Sequence, residues 1–297
     1  MNARAMRLAG KLMLFACGAA VWAAGHAGQN CTAQQITGQE LRRSIELATA
    51  TTQYLQRSGV KAAILARAGK NLDEYGLRYS HLGIAYFDAE ALDGRGAWRV
   101  LHKLNRCGTD RGDVYRQGLL EFFADDLYRY EAGIVPLRPE AQDAVLRAAR
   151  DKSAVVRLHQ PRYNMLAYPW ETRYQQSNQW AIETLASWLD ADIDSRRRAQ
   201  SWLRAKNYRP TTLDVPALKR LGARIGSAHI AFDDHPMSRR MAGQIDTVTV
   251  DSVFRWLVDS GIGGGETTLR ATDAPPAPPA VPLRLERTDY RAGYRPA

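Results

Sequence analysis

The chain of 297 residues contains only three cysteines, six histidines and six methionines, and its one long apolar run lies near the N-terminus. Each scarcity excludes something. Without a Cys-x-x-Cys pair there is no thiolate framework for a structural zinc or a dithiol centre, and without an HExxH helix there is no zincin site. Walker and dinucleotide glycine patterns are missing as well, which excludes the familiar phosphate cradles. No later stretch approaches the ~20 apolar residues that a spanning helix needs. The sequence therefore predicts no cofactor, no metal and no integral membrane segment in the mature chain.

What is present begins with an address. Arg4, Arg7 and Lys11 precede an apolar stretch from Leu12 to Trp22, and Gly25-His26-Ala27 supplies small residues for cleavage. Residues 1–27 are expected to be a signal peptide, which makes the mature chain periplasmic or secreted. Cys17 leaves with that segment. Cys31 and Cys107 remain as an even pair in an oxidising compartment, and a disulfide between them would close 107 − 31 = 76 residues of chain, worth about 4 to 5 kcal/mol.

The formal net charge of +10 falls to +7 once Arg4, Arg7 and Lys11 are removed. Between Ala191 and Arg224, nine Lys or Arg, starting with Arg196, Arg197 and Arg198, oppose only Asp192, Asp194 and Asp214. In an exported protein such a patch points to an anionic envelope polymer or lipid head group, and not to nucleic acid. A plain solvated helix face is the competing reading.

Thr37-Gly38-Gln39-Glu40 reads as a capping box, with Leu41, Ile45, Ala48, Thr52 and Leu55 at helical spacing behind it, so a helix is expected from about 38 to Arg57. Strands are expected over Val60–Ala66, Ser80–Phe87 and Ala97–Leu104, the last two joined by a turn at Gly94-Arg95-Gly96. Gln117–Tyr130 is read as helical, Ile134–Leu137 as extended, and Pro139 as the first turn of a helix reaching Arg150. Val155–Tyr174 is expected to hold one or two strands and a loop. Helices should follow over Ser177–Leu189, Arg196–Lys206 and Val215–Arg224, with Val248–Val258 closing the fold. From Gly261 the Gly- and Pro-rich tail lacks core-forming residues and is expected to be disordered to residue 297. The result is one α+β domain over residues 28–260, an antiparallel sheet packed by helices.

Chemistry is suggested by three pieces, RYSHLGIAYF (78–87), WRVLHKLN (98–105) and RYQQSNQWAIE (173–183). If the hairpin pairs residues whose numbers sum to 183, His81 lies opposite His102 with Gly83, Ala85 and Val100 on the same face, small enough for a helix end to approach. Ser177 opens a helix, where free N–H groups stabilise developing negative charge. His81 would act as base, His102 as its orienter and Ser177 as nucleophile. Tyr174, Asn178 and Gln179 would serve the oxyanion or position substrate, and Tyr168, Trp170 and Trp180, with Tyr163 nearby, would line a groove. A packed histidine and an N-capping serine are the plain alternatives. His229, Asp233, Asp234 and His235 form a weaker candidate for a metal loop that also reads as ordinary turn chemistry.

His81-Leu82-Gly83-Ile84, Val100-Leu101-His102 and Gln176-Ser177-Asn178-Gln179-Trp180 resemble the strand and helix-start motifs of circularly permuted papain-like proteins, the NlpC-type and lecithin:retinol acyltransferase-like enzymes. That resemblance implies a papain-like sheet and hydrolase or acyl/amide-transfer chemistry. Ser177 stands where those enzymes carry cysteine, which implies a serine variant or an inactive relative that only binds. Across roughly residues 30–260, through SHLGIAYFD, VLHKLNRCGT, SNQWAIE, FDDHP and TVTVDSVFRWL, the chain resembles the bacterial family called domain of unknown function 2145. Membership implies a bacterial exported protein and supplies no reaction.

Overall fold

In a computed structural model of the chain, residues 36–125, 127–217 and 229–273 are described. The expected signal peptide, Cys31, most of the helix expected over Val215–Arg224, and residues 274–297 lie outside them.

The first helix, α1 (Gly38–Ser58), starts at the expected cap. The Thr37 hydroxyl accepts from the Glu40 amide at 3.2 Å, and the Glu40 carboxylate accepts from the Thr37 amide at 2.7 Å. Such a cap contributes about 1 kcal/mol. Gly59 ends the helix at φ 71°, a left-handed conformation that a missing Cβ makes cheap.

β1 (Ala62–Ala68) is buried along its whole length, because it sits in the middle of a sheet covered on both sides. The same sheet takes in β2 (His81–Asp88), β3 (Ala97–Asn105), β4 (Gly112–Gly118) and β5 (Arg129–Pro136), of which β2 and β5 flank β1. Two later strands, β6 (Thr211–Asp214) and β7 (Gln244–Thr247), form a separate antiparallel ribbon, and β8 (Thr267–Arg270) returns to the main sheet. The six-stranded order is β4-β3-β2-β1-β5-β8, with every pairing antiparallel.

Strand side chains alternate between faces, and the two faces carry different cores. Ala63, Leu65, Ala85 and Val100 pack with α1 and the short α2 (Leu119–Phe123). Ile64, Leu82, Ile84 and Leu101 pack with α3 (Pro139–Ala148) and, beyond α4 (Lys152–Val156), with α5 (Ser177–Leu189). α6 (Arg196–Ala205) lies against α5, α7 (Met237–Met241) precedes β7, and α8 (Val250–Asp259) completes the second face. Each fully buried Leu, Ile or Phe contributes about 1.5 to 3 kcal/mol, so the two faces together supply most of the stabilisation. The protein is α+β, an antiparallel sheet packed by helices, as the sequence predicts. Among the described residues no helix is long and apolar enough to cross a membrane.

Three expectations are corrected. Gln117–Tyr130 is helical only over Leu119–Phe123, because the flanking residues pair with β3 and β1 and ladder formation outweighs local propensity. Val155–Tyr174 holds no strand. After α4 it is a loop tied down by side chains, with Asn164 Nδ2 donating to the Ala231 carbonyl at 2.9 Å and the Tyr168 amide donating to Asp234 at 2.8 Å. Of the tail expected to be disordered from Gly261, residues 261–273 are described and include β8, which pairs with β5. Gly263 permits the return, since a Cβ there would come within 2.5 Å of Val135 Cγ1.

Candidate functional site at the open end of the sheet

The two histidines meet, although not by the expected register. The hairpin pairs Ile84 with Leu101, Ala85 with Val100 and Asp88 with Ala97, two residues away from direct opposition of His81 and His102. Gly96 causes the shift: at φ 76° it belongs to the turn and cannot pair as an extended residue. A shift of two preserves the face, and Gly83 leaves the space beside His102 through which the rings approach diagonally. His81 Nε2 lies 2.9 Å from His102 Nδ1, with the rings edge-on at 5.2 Å between centroids.

Hydrogen bonding sets the tautomers. The Gln117 Oε1 atom, 2.7 Å from His102 Nε2, is an acceptor and so places a proton on that nitrogen. His102 Nδ1 then accepts from His81 Nε2–H, and His81 Nδ1 is left with an unshared lone pair. Both rings stay neutral near pH 7. Burial first, and then the Arg67 guanidinium, push His102 down to about 4 and His81 well below 6.5. Arg67 stands opposite His81 on β1, donates to the Phe122 carbonyl and pairs with Asp125. Phe122 of α2 covers the group, 5.2 Å from His102 and 5.9 Å from His81 between centroids.

That cover is informative, because α5 packs on the other face of the sheet. The Ser177 Oγ atom bonds the Tyr163 hydroxyl at 3.1 Å, and no hydrogen bond joins Ser177 to either histidine. Burial raises the Tyr163 phenol, so it holds its proton beside Ser177. Asn178 ties the helix start in place: its Oδ1 accepts from the Leu82 amide at 3.1 Å and its Nδ2 donates to the Val248 carbonyl at 3.2 Å.

His81 and Ser177 nevertheless border one cavity. It measures about 340 Å³ and opens where β1 ends, β2 begins and α5 starts. Arg67, His81 and Asp125 stand at its wall with Tyr163, Ser177 and Asn178, and the remaining lining is mostly apolar. Leu77, Leu213, Val215 and Phe232, from the small core beneath the β6–β7 ribbon, form much of it.

The expected groove residues lie elsewhere. Trp180 is fully buried in the core beside α8, Trp170 meets Tyr208 edge to face and carries Arg204 over its ring, and Tyr168 packs on His235. Tyr174 lies between Arg162 and Arg173, with its hydroxyl on Asp233 at 3.4 Å. Gln179 donates to the carbonyls of Tyr168 and Pro169. In the candidate metal loop, His235 is held by Asp234 at 3.0 Å and by the Asp246 carbonyl at 2.9 Å, and Asp233 pairs with Arg173. No group of His, Cys, Asp or Glu able to hold a metal occurs among the described residues.

Sequence reasoning missed two features. Arg67 is one, and the signal was a lone cation in the apolar strand Ala-Ala-Ile-Leu-Ala-Arg-Ala. The other is a buried polar network on the α5 face. Glu183 accepts from Arg196, Gln175 and Gln200, while Lys103 Nζ donates to Gln175 Oε1 at 3.0 Å. Burial and the charge of Arg196 lower Lys103 to about 7. Its signal was Glu183, a single carboxylate in an otherwise uncharged helix. Arg196 is consequently a buried structural residue and not part of an exposed basic face; Arg197 and Arg198 remain exposed, and Lys219, Arg220 and Arg224 lie outside the described residues.

The architecture and the site define an α+β protein with a buried imidazole pair beside an open, largely apolar cavity. Residues 54–257 match the model of the family described as "Uncharacterized protein conserved in bacteria (DUF2145)", and the chain belongs to that family. No curated protein and no solved structure matches it.

Proposed function

We propose that this is an exported bacterial protein that binds a cell-envelope component in the cavity at the end of the sheet without nucleophilic catalysis. One observation carries the reading. Ser177 is hydrogen-bonded to a protonated tyrosine and starts a helix on the sheet face opposite the histidine pair, whereas a serine nucleophile needs a base within hydrogen-bond reach. A papain-like arrangement would set base and nucleophile against each other, so our reading does not rest on that relationship. A concave site with largely apolar walls and a minority of polar groups is the usual form of a small-ligand site.

A second reading is favoured by the lone pair on His81 Nδ1, which borders the same cavity as Ser177. In it, Ser177, His81 and His102 form a hydrolase or acyl/amide-transfer site acting on an envelope component. Wild type, Ser177→Ala and Ser177→Cys assayed on esters, amides and peptidoglycan fragments separate the two. Binding predicts no turnover by wild type and undiminished retention of envelope extract by Ser177→Ala. Turnover by wild type that Ser177→Ala loses rejects the binding-only reading.

A further inference from the structure

We propose that the cavity holds a single aliphatic chain whose uncharged head, a hydroxyl or an amide, donates a hydrogen bond to His81 Nδ1. This deepens the binding reading above, and it rests on that reading only in locating the ligand in the cavity.

Four observations lead to it. His81 is nine-tenths buried, lines the cavity, and has no partner for Nδ1 among the described residues. Since the chain from Gln117 through His102 assigns its proton to Nε2, the nitrogen left over accepts and cannot donate. That nitrogen is not sealed among the buried atoms that lack a partner, so it opens onto the cavity and can accept from a ligand N–H or O–H. The head is uncharged because the charges beside His81 already cancel: a carboxylate would meet Asp125 and an ammonium would meet Arg67, these two are paired with each other, and Lys70, the other cation on the lining, is exposed and already has an interaction of its own. A further charge brought beside His81 would find no unpaired counter-charge there.

The rest of the ligand is dictated by the far wall. Leu77, Leu213, Val215 and Phe232 close one side, with Leu166 and Ile230 packed against that cluster and also facing the cavity. None of these side chains offers a polar group to a ligand. A volume of about 340 Å³ suits one chain of middle length better than a branched or two-chain lipid.

Titration calorimetry on the mature protein tests this with 1-decanol, decanamide, decanoate and decylammonium, and with the four-carbon alcohol and amide. Decanol and decanamide should bind, with the two charged probes weaker by at least about tenfold, since a desolvated charge is left unpaired. The four-carbon probes should be weaker by at least about 100-fold, because most of the apolar contact is lost. His81→Phe should weaken decanamide by about tenfold through the lost hydrogen bond. Leu166→Trp, on the apolar wall, should remove ten-carbon binding by filling that part of the cavity while the melting temperature stays near wild type. Equal affinity for charged and uncharged heads, indifference to chain length, unchanged binding by His81→Phe, or no saturable binding of any probe overturns the proposal. Ser177-dependent turnover accompanied by this binding pattern would reject only the non-catalytic reading and leave the ligand class standing.

Discussion

The guanidinium of Arg196 clasps the carboxylate of Glu183 at two points, Nε to Oε2 at 2.7 Å and Nη2 to Oε1 at 3.1 Å, with Arg196 nearly buried and Glu183 wholly so. The remaining Arg196 donors serve the carbonyls of Thr172, Tyr174 and Glu171. One side chain thereby fastens α6, α5 and the loop that leads to Ser177.

Arg196→Ala should therefore lower unfolding stability by about 3 to 5 kcal/mol, the usual cost of leaving a buried carboxylate without its cation. Arg197→Ala, one residue away and exposed, should change it by less than about 0.5 kcal/mol. Urea titration of both variants measures the contrast, and similar losses in the two would refute the structural role assigned to Arg196.

Stability should depend on pH through His102. Its folded value of about 4 lies below the 6.5 of an unfolded histidine, so as pH falls from 6.5 to about 4 the unfolded chain binds the proton first and the native state loses ground. The loss should reach about 3 kcal/mol near pH 4, at ~1.4 kcal/mol for each pH unit of depression. His81, also lowered, contributes in the same direction. His102→Gln should flatten this part of the urea midpoint against pH; an unaltered slope would show that His102 is not the titrating group.

Gly83→Ala tests how closely the hairpin is packed beside the imidazole pair. The added Cβ would come within 2.6 Å of Val100 Cγ1 and 2.9 Å of the Leu101 carbonyl oxygen. Overpacking of that kind costs about 1 to 3 kcal/mol, and thermal melting should report it. A wild-type melting temperature would mean that the hairpin accommodates a side chain at this point.

Cys107 lies on the exposed turn after β3, an accessible position for the proposed bridge to Cys31. Thiol titration of denatured protein spanning residues 28–297, which keeps Cys31 and Cys107 of the three cysteines, should detect no free thiol before reduction and two after it. Reduction should lower stability by up to about 4 to 5 kcal/mol if the bridge follows the chain-entropy account. Two free thiols in unreduced protein would dispose of the bridge.

Much of the main sheet and its helices could be read from residues alone. Thr37, Glu40 and Gly59 mark both ends of α1 because caps are local chemistry, satisfied within a few residues. β1, β2 and β3 are legible as apolar or alternating runs, and Ser177–Leu189 as a helix. The strands β4, β6, β7 and β8 were not, because short, partly polar strands are stabilised by a ladder partner distant in sequence. The proximity of His81 to His102 followed from the hairpin even with the register two residues off, since such an error leaves the face unchanged.

What could not be read was the side of the sheet on which α5 would lie. That depends on which strand face offers Leu82, Ile84 and Leu101 and which is already taken by α1 and Phe122. The chain alone therefore determined the α+β class, the imidazole pair and the family. Tertiary packing decided that Ser177 bonds Tyr163, that Arg196 is internal, and that an apolar cavity lies between the sheet and the β6–β7 ribbon. Local motifs carry their own hydrogen bonds, whereas the choice of covered face is made by the summed burial of side chains from six strands at once.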